Sequence, residues 1–370
     1  MLAIAVELDC EVHMLDVQTA ILNADVEEDV FVKMAPDYET NDKPGVPLVM
    51  KLKKSLCGTR QSPKNWFGTM DLVDRFEMSN MSNVSRILDM NVTCDREKGT
   101  ITISQKDYTE DVVQRYGMKS FNPAYTPGVG PELSPNQPEE KLLNEEEKRR
   151  YQAITGAVMY LAQVTRYDIL YAVNQLARAM SKPVKVHIGA AKHLLRYLAG
   201  SADFSITYKQ GGFRLAAFSD TNWGNNPDNG RSTSSYIVML ANAPISFKVR
   251  LQGLTAQSTR EAELVAAALT IKEAVFCSNM ILKLGFDESF GSVPLYIDNT
   301  SALHAAGSRT YSPRAKHIAL RYFFVQKLVV GGKISIHYVQ NDDQLADLGT
   351  KHLTKHRHRN LIKLINEFKA

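Results

Sequence analysis

The pattern of apolar and polar residues divides the chain into a mixed first part, a helical middle and a last part in which strands and helices alternate. The opening run MLAIAVELDCEV predicts a buried helix rather than a signal peptide, since it has no basic leader and is interrupted by Glu7 and Asp9. Residues 87–105 form two alternating segments around DREKG, a pattern that predicts a β-hairpin. A helix is expected to follow over 107–118.

The second half has a different organisation. Residues 121–147 are rich in Pro, Gly, Asn and Glu and predict a linker, and over 148–200 apolar residues recur every three or four positions, which predicts helices. From 213 the predicted elements are, in order, the strands FRLAAFSD, SSYIVML and PISFKV, a long helix ending at Gly285, the strand VPLYID, the short helix SALHAAG, a second long helix from SPRAKH, the strand KISIHYV and a last helix beginning at LADLGTK. This order predicts an α/β (α+β) fold with a mixed five-stranded sheet flanked by helices.

Composition narrows the function classes. With 44 basic and 40 acidic residues the net charge is +4, which permits nucleic-acid binding without identifying it, although the tail KHLTKHRHRNLIK is strongly basic. The four cysteines are scattered and form no metal-type cluster, so we expect neither a zinc site nor a disulfide framework. We expect an intracellular location, either cytoplasmic or nuclear. No apolar run of about 18 residues occurs, so we expect no membrane-spanning helix, and nothing indicates a small-molecule cofactor.

Four carboxylates in the second half carry the candidate chemistry. Asp220 ends the first of these strands, Glu263 lies at the start of the long helix, Asp298 follows the fourth strand and Asp347 lies near the start of the last helix. If the first and fourth strands are neighbours, their acids meet at one edge of the sheet, and the two helices bring the others to them. Converged carboxylates bind Mg²⁺ or Mn²⁺, and two such ions about 4 Å apart promote in-line phosphoryl displacement.

Each acid taken alone also has an ordinary structural interpretation. Asp298 is suited to cap the helix that follows it, and Asp347 is a first-turn acid that a helix dipole favours. The four acids together, in this order of elements, favour a site.

The basic residues have two interpretations that the sequence leaves open. The second long helix carries Arg314, Lys316, His317 and Arg321, and three- and four-residue spacing places the first, third and fourth of these on one face. They either bind phosphates or form a solvated helix face. The basic tail Lys351–Lys363 likewise either contacts nucleic acid or solubilises the chain.

Residues 213–365 resemble the ribonuclease H domain of copia-type LTR retrotransposon polyproteins. The stretches that carry the resemblance are FSDTNWGNNPDNGRSTSSYIVML, APISFK, QSTREAELVAAALTIKEAV, YIDNTSALHAA, RAKHIALRYFFV and HYVQNDDQLADLGTK. The resemblance implies two-metal hydrolysis of the RNA strand of RNA–DNA hybrids, with the four acids above as ligands. It assigns both metals to Asp220, and of the two glutamates in REAEL it selects Glu263 rather than Glu261.

This sequence departs from the family pattern near the acids. Arg260 replaces the usual Thr, Leu264 replaces an aromatic residue, and Gly349 replaces an apolar residue in the predicted last helix, which glycine weakens by about 1 kcal/mol. None of these changes removes a carboxylate. In cellular ribonucleases H a loop histidine aids product release, but His337 falls inside a predicted strand, so we expect it to be structural.

The first half resembles the palm of a copia-type reverse transcriptase. MLDVQTAILNADVEEDVFVKM is similar to the first palm motif, with Asp16 as the metal-binding acid. KLKKSLCGTRQSPKNW is similar to the next motif, in which Gly58, Gln61 and Pro63 shape the template–nucleotide site. The hairpin over 87–105 resembles the one that holds the primer.

The resemblance divides the chain into four expected segments. These are a truncated palm (1–120), a linker (121–147), a helical thumb or connection (148–208) and a ribonuclease H-like domain with a basic tail (209–370).

The palm lacks one motif of the family. A Tyr-Val-Asp-Asp strand should follow the Asn-Trp motif, but here Trp66 is followed almost at once by FEMSNMSNVSRIL. Because Asp16 alone cannot hold the two metals that polymerisation requires, we expect no reverse transcriptase activity. The alternative for the whole chain is a non-catalytic, decayed element that at most binds nucleic acid. The resemblance also implies Gag-like particle proteins as partners.

Overall fold

The computed structural model describes residues 1–13, 15–17, 19–33, 49–69, 78–80, 84–286, 291–299 and 319–368. The chain forms two compact units. One joins Met1–Glu11 to Ser85–Ala370, and the other is Val12–Val84.

The strands of the described residues are β1 (Leu15–Val17), β2 (Phe31–Lys33), β3 (Val49–Lys51), β4 (Met78–Asn80), β5 (Arg86–Ile87), β6 (Met90–Asp95), β7 (Thr100–Ser104), β8 (Ser205–Lys209), β9 (Ala216–Asn222), β10 (Thr233–Leu240), β11 (Ala243–Leu251), β12 (Val293–Ile297) and β13 (Ile334–Tyr338).

The α-helices of the same residues are α1 (Leu2–Glu7), α2 (Ala20–Asn23), α3 (Ser62–Thr69), α4 (Lys106–Arg115), α5 (Glu145–Val164), α6 (Leu170–Arg178), α7 (Lys185–Ala199), α8 (Thr259–Lys283), α9 (Ala319–Val330) and α10 (Lys355–Asn366). Short 3₁₀ helices span Glu139–Lys141, Tyr167–Ile169, Asn341–Asp343 and Leu345–Gly349. The predicted opening helix and the helix after the hairpin are confirmed as α1 and α4. The predicted short helix SALHAAG lies outside the described residues.

The smaller unit contains two two-stranded antiparallel sheets, β1 with β4 and β2 with β3. Helices α2 and α3 pack against each other beside them. In the first sheet Asp16 lies opposite Ser79, and the other residues of β4 are Met78 and Asn80. The strand that pairs with the palm acid therefore carries no carboxylate.

A four-stranded antiparallel sheet in the order β5-β6-β7-β8 belongs to the larger unit. The predicted hairpin is confirmed, since β6 pairs with β7 from Asn91 opposite Ser104 to Asp95 opposite Thr100. The strand β8 was not predicted, because its partner is distant in sequence: Thr207 hydrogen-bonds to Thr102, 105 residues earlier. Its alternating residues Ile206 and Tyr208 are buried.

Helices α4 to α7 pack into one apolar core. Apolar residues three or four positions apart on α5 are buried, namely Tyr151, Ile154, Val158 and Leu161. The helix begins at the N-cap Asn144, whose side chain accepts a hydrogen bond from Glu147 N at 2.9 Å. The helices predicted over 148–200 are confirmed.

The C-terminal sheet has five strands in the order β11-β10-β9-β12-β13. Strands β9, β10 and β11 are antiparallel neighbours, whereas β12 pairs in parallel with both β9 and β13. All eight residues of β10 are buried, and α8 and the turn Leu345–Gly349 both pack on this strand. The predicted α/β (α+β) fold with a mixed five-stranded sheet is confirmed, and the first and fourth strands of this sheet are neighbours.

Helix α8 packs along β9 and β10. It is the one helix of the described residues with the length and mean hydropathy, 1.5, of a membrane span. However, 50% of that stretch is buried within the fold, and the helix carries the buried acids Glu261 and Glu263. Packing against the sheet therefore accounts for its apolar composition.

The last helix differs from the prediction. LADLGTK does not begin it, because Leu345–Gly349 forms a separate 3₁₀ helix and α10 begins only at Lys355. A Cβ on Gly349 would lie 2.2 Å from Ser235 Oγ and 2.5 Å from Val249 Cγ2. Glycine thus allows this turn to lie directly on β10 and β11, and the expected weakening of a helix at Gly349 was wrong.

Candidate metal centre

Three of the four predicted acids converge where β9 and β12 run in parallel. Asp220 lies in β9, Asp298 directly follows β12, and Glu263 lies in the first turns of α8, which packs on β9. One carboxylate oxygen from each of the three lies within 4.8 Å of the others. Asp220 and Glu263 are buried, and Asp298 is half-buried.

Asp347, the fourth acid, lies beside this trio on the 3₁₀ turn Leu345–Gly349. The turn is attached to β9 by Gln344, whose Nε2 donates to Ser219 O at 3.0 Å. The Oε1 of the same side chain accepts a hydrogen bond from Ala346 N at 3.2 Å. A buried glutamine thus positions the fourth acid, in place of the helix that the sequence predicted.

The two glutamates of REAEL have different partners. Glu261 accepts a hydrogen bond from Gln257 N at 2.9 Å, and its own N–H donates to Ser258 Oγ at 3.2 Å, so it stabilises the start of α8. Glu263 belongs to the trio, and its Oε2 is buried without a hydrogen-bond partner. The geometry gives Glu261 a capping role and places Glu263 in the acid cluster.

Two polar side chains that the sequence did not single out support the acids. Thr350 Oγ1 donates to Asp220 Oδ2 at 2.6 Å. Buried Gln252 donates through Nε2 to Ser234 Oγ at 2.8 Å and to Ala262 O at 2.9 Å, which joins β10 to the first turns of α8. Both roles depend on contacts across the sheet, for which the local sequence has no signal.

The acids repel one another in a buried environment. Burial, followed by the charge of Asp347 and contact with it, raises the pKa of Asp220 to about 8. Burial and the charge of Asp220 raise the pKa of Glu263 well above its ordinary value, and burial with the charge of Asp347 raises that of Asp298. The cluster therefore favours either bound protons or a bound cation.

Two basic residues partly compensate this charge. Arg357 Nη2 donates to Asp347 Oδ2, and Lys351 Nζ lies 2.8 Å from Asp347 Oδ1. The charge of Lys351 also acts against the rise in the pKa of Glu263 and Asp298. Neither basic residue was predicted as part of the site.

The donor set fits divalent metal ions. Carboxylate oxygens are the hard ligands that Mg²⁺ and Mn²⁺ prefer. The buried Oε2 of Glu263 has no hydrogen-bond partner, and a cation would offset the cost of burying it. Asp220, Glu263 and Asp298 are placed to hold such an ion, with Asp347 next to them.

The basic residues predicted on the second long helix are only partly described. Arg321 is exposed on α9, whereas Arg314, Lys316 and His317 lie outside the described residues. His337 lies in β13 as expected, where its Nε2 is 2.9 Å from Ser335 Oγ.

The palm motifs form a loop and a helix in the smaller unit. Asp16 lies on β1. Gly58 has a φ of +98°, in the left-handed region that favours glycine. Gln61 Nε2 donates to Glu28 Oε2 at 2.9 Å, and Pro63 lies in the first turn of α3, where proline is tolerated.

A second cluster of charged residues was missed by the sequence analysis, and its role is structural. Buried Arg166 and Asp168 form a two-point ion pair of 2.9 and 2.8 Å, and Tyr197 OH donates to Asp168 Oδ2 at 2.7 Å. Although burial opposes ionisation, Arg166 and Tyr197 hold the pKa of Asp168 below its ordinary value. His358 Nε2 lies 3.2 Å from Asp168 O, so the cluster connects the helical core to α10.

Comparison with known proteins matches both halves of the chain. Residues 1–74 match the family described as reverse transcriptase (RNA-dependent DNA polymerase). The retrovirus-related Pol polyprotein from transposon TNT 1-94 of Nicotiana tabacum is 28% identical over 95% of this chain and 30% of its own length. That from transposon RE2 of Arabidopsis thaliana is 29% identical over 100% of this chain and 28% of its own length. The chain thus spans less than a third of the length of these relatives.

Among solved structures, the N-terminal RNase H domain of a Mycobacterium tuberculosis protein, fused to maltose-binding protein, is similar to part of this chain. The match covers 41% of this chain and 98% of that chain, with a TM-score of 0.29 and 13% identity. The strand order β11-β10-β9-β12-β13 and the parallel pairing of β9 with β12 define the fold of this domain.

Proposed function

Because this chain belongs to the copia-type, retrovirus-related Pol polyproteins of transposons, we propose that its C-terminal domain hydrolyses the RNA strand of RNA–DNA hybrids with divalent metal ions. The domain is ribonuclease H-like, with a mixed sheet in the order β11-β10-β9-β12-β13. The observation that carries the proposal is the convergence of Asp220, Glu263 and Asp298 within 4.8 Å of one another.

The roles of the individual residues follow from their contacts. Bound divalent ions lower the pKa of a coordinated water and stabilise a leaving oxygen. Asp220, Glu263, Asp298 and Asp347 would hold such Mg²⁺ or Mn²⁺ ions through their carboxylate oxygens. Thr350 orients the carboxylate of Asp220 through its hydrogen bond of 2.6 Å.

The nucleic-acid face that we propose is the exposed side of α10. Lys355, Arg359 and Lys363 recur every four residues and are all exposed. Lys355 Nζ and Arg359 Cζ lie 3.5 and 5.7 Å from the centroid of the Tyr125 ring, which is 61% exposed. A row of exposed cations, two of which lie over an aromatic ring, suits the phosphate backbone of a hybrid.

The test is cleavage of an RNA–DNA hybrid, labelled on the RNA strand, by the purified full chain with Mg²⁺. We expect cleavage of the RNA strand alone, and its loss in Asp220→Asn and Glu263→Gln. The matched control is Glu261→Gln. Glu261 caps α8, and a glutamine at this position can still accept the hydrogen bond from Gln257 N. Cleavage that persists in Asp220→Asn would contradict the proposal.

We further propose that the polymerase half has no reverse transcriptase activity. The proposal is supported by β4, the strand paired with β1, because its three described residues include no acid that could join Asp16 in two-metal chemistry. The comparison with the RE2 polyprotein supports a loss of residues, because it extends over 423 positions although this chain has 370. Primer extension by the purified protein that is abolished by Asp16→Asn would overturn the proposal that the polymerase half is inactive.

The second candidate function is a non-catalytic transposon remnant that binds nucleic acid. The strand β4, whose three residues include no acid, favours this candidate, because the proposed loss of polymerase activity would leave one active site of the family without function. Salt-sensitive binding of the hybrid without cleavage is the result that would select this candidate.

The setting of the protein is also proposed by family membership. We propose Gag-like particle proteins as partners and an intracellular location, cytoplasmic or nuclear. Sedimentation of the tagged chain with a particle fraction, compared with its sedimentation in cells lacking the Gag-like protein, tests the first. Microscopy of the same tagged chain tests the second.

A further inference from the structure

The two cations that reach Asp347 are held in different ways. Arg357 is anchored: besides Asp347 Oδ2, its guanidinium donates to Asp342 Oδ1 at 2.7 Å and to Asn341 Oδ1 at 2.9 Å. Its side chain is 23% exposed. Arg357 is therefore a fixed partner that orients the carboxylate of Asp347.

Lys351 is held more loosely. Its Nζ lies 2.8 Å from Asp347 Oδ1, four residues earlier in the chain, and its side chain is 40% exposed. Asp347 Oδ1 is buried and receives no well-directed hydrogen bond. The contact is thus mainly electrostatic, and the flexible stem allows the ammonium to move away when another cation takes its place.

The charge of Lys351 reaches beyond Asp347. The acid that it contacts lies beside the trio of acids, Asp220, Glu263 and Asp298, whose carboxylate oxygens lie within 4.8 Å of one another. The ammonium therefore lies in the same field of negative charge that attracts a divalent ion.

We propose that Lys351 is a built-in counter-cation of the acid cluster, which stabilises the metal-free fold and competes with the divalent ions for it. The inference rests on the proposed function, since it concerns the same cluster. Arg357 is the positioning residue of the pair, and Lys351 sets how tightly the ions bind.

Removal of Lys351 and removal of Arg357 should have opposite effects on metal binding. Without Lys351, the acid cluster loses one positive charge that competes with divalent ions, so these ions should bind more tightly. Without Arg357, Asp347 loses its fixed orientation, so they should bind more weakly, as when an outer partner of a metal ligand is removed.

The test is Mn²⁺ binding by the full chain, measured from the electron paramagnetic resonance signal of the free ion, without nucleic acid. We expect Lys351→Met to raise the association constant about fivefold, Lys351→Arg to leave it nearly unchanged, and Arg357→Met to lower it at least about tenfold. The matched control is Lys192→Met, which removes an exposed lysine from α7, a helix without residues in the cluster. An unchanged or lower constant in Lys351→Met overturns the inference.

A second measurement separates this inference from the proposed function. If Lys351 neutralises the acids, Lys351→Met should melt at a lower temperature than Lys192→Met in metal-free buffer at neutral pH. Equal melting temperatures contradict the counter-cation role whether or not the protein binds Mn²⁺. A wild-type chain that takes up no Mn²⁺ overturns the proposed function and the competition for ions, and the melting comparison then decides on the stabilising role alone.

Discussion

The hydroxyl of Thr350 donates a hydrogen bond of 2.6 Å to Oδ2 of Asp220, 130 residues away in the sequence. The bond joins the strand that carries the first acid to the turn that carries Asp347. It favours the ionised form of Asp220 and opposes burial, which is the main cause of the raised pKa of this group. Thr350 therefore contributes both to the fold and to the readiness of Asp220 to bind a cation.

Thr350→Val should reduce the free energy of unfolding by about 1–2 kcal/mol, because a buried carboxylate loses a hydrogen-bond donor. It should also weaken Mn²⁺ binding, since the pKa of Asp220 rises further. Urea unfolding and the Mn²⁺ titration measure the two effects. Thr350→Ser keeps the hydroxyl and is the control, and equal losses in both variants would show that the hydrogen bond is not the cause.

The raised pKa values of the acids predict that the metal-free protein loses stability as pH rises. Folded Asp220, with a pKa of about 8, retains a proton that the unfolded chain, near 3.8, has released. The folded state thus binds more protons between these values, and the free energy of unfolding falls as pH increases through the window. Calorimetry between about pH 7 and pH 8.5 measures this slope.

The window between about pH 7 and pH 8.5 lies above the pH range in which three histidines with lowered pKa values affect stability. Burial lowers the pKa of His187, His352 and His358 below the ordinary value of 6.5. The unfolded chain therefore binds more protons at these histidines below about pH 6.5, and the free energy of unfolding falls as pH drops below that value. Asp220→Asn should flatten the slope of the free energy of unfolding against pH, because an amide does not titrate. The amino terminus contributes equally to the slopes of the wild type and the variant. A slope that is identical in the two proteins would be the contrary result.

Gly349→Ala should destabilise the protein by about 1–3 kcal/mol, because the new Cβ would lie 2.2 Å from Ser235 Oγ and 2.5 Å from Val249 Cγ2. It should also weaken Mn²⁺ binding by displacing the turn that carries Asp347. The control is Gly156→Ala in the exposed interior of α5, where a Cβ meets nothing within 4 Å. That change should stabilise the helix by about 0.5–1 kcal/mol, and a loss of similar size in both variants would contradict the packing argument.

The framework of the acid cluster could be predicted because it depends on local patterns. Apolar runs defined β9 and β12, and Asp220 and Asp298 were expected at one edge of the sheet if these two strands were neighbours. The Ala-rich helical stretch likewise placed Glu263 on α8. These elements are confirmed in the structure.

The remainder depends on contacts between residues that are far apart in sequence. The turn at Asp347 was predicted as a helix, because the close approach of Gly349 to the sheet is invisible in a single segment. The same holds for Thr350 and Arg357, whose partners lie 130 and 10 residues away. The strand β8 was missed because the hairpin that it extends is about a hundred residues earlier in the chain.

Asp168→Ala should cost about 3–5 kcal/mol, because it leaves the guanidinium of Arg166 buried without its partner. The exposed pair of Arg115 and Asp111 on α4 is the control, since the same change at Asp111 should cost about 0.5 kcal/mol or less. Chemical denaturation measures both. His358 of α10 contacts the main-chain O of Asp168, which this change retains, so we expect Asp168→Ala to loosen α10 only by displacing the 3₁₀ turn Tyr167–Ile169, which amide hydrogen exchange along α10 detects.

The basic face of α10 predicts a specific salt dependence of hybrid binding. Replacing Lys355, Arg359 and Lys363 by Gln should weaken binding and lower the slope of log K against log salt by about 0.7–0.9 for each phosphate contact that is lost. Binding is measured in an Asp220→Asn background so that the hybrid stays intact.

A matched variant removes the same charge elsewhere. Gln at Arg149, Arg150 and Lys192 also removes three exposed cations from α5 and α7, and it should leave the slope nearly unchanged. Equal slopes in the two triple variants would show that net charge alone governs binding and that α10 is a solvated face. When the chain retains Asp220, neither triple variant should change its Mn²⁺ affinity. The acid cluster receives its compensating charges from Lys351 and Arg357 instead.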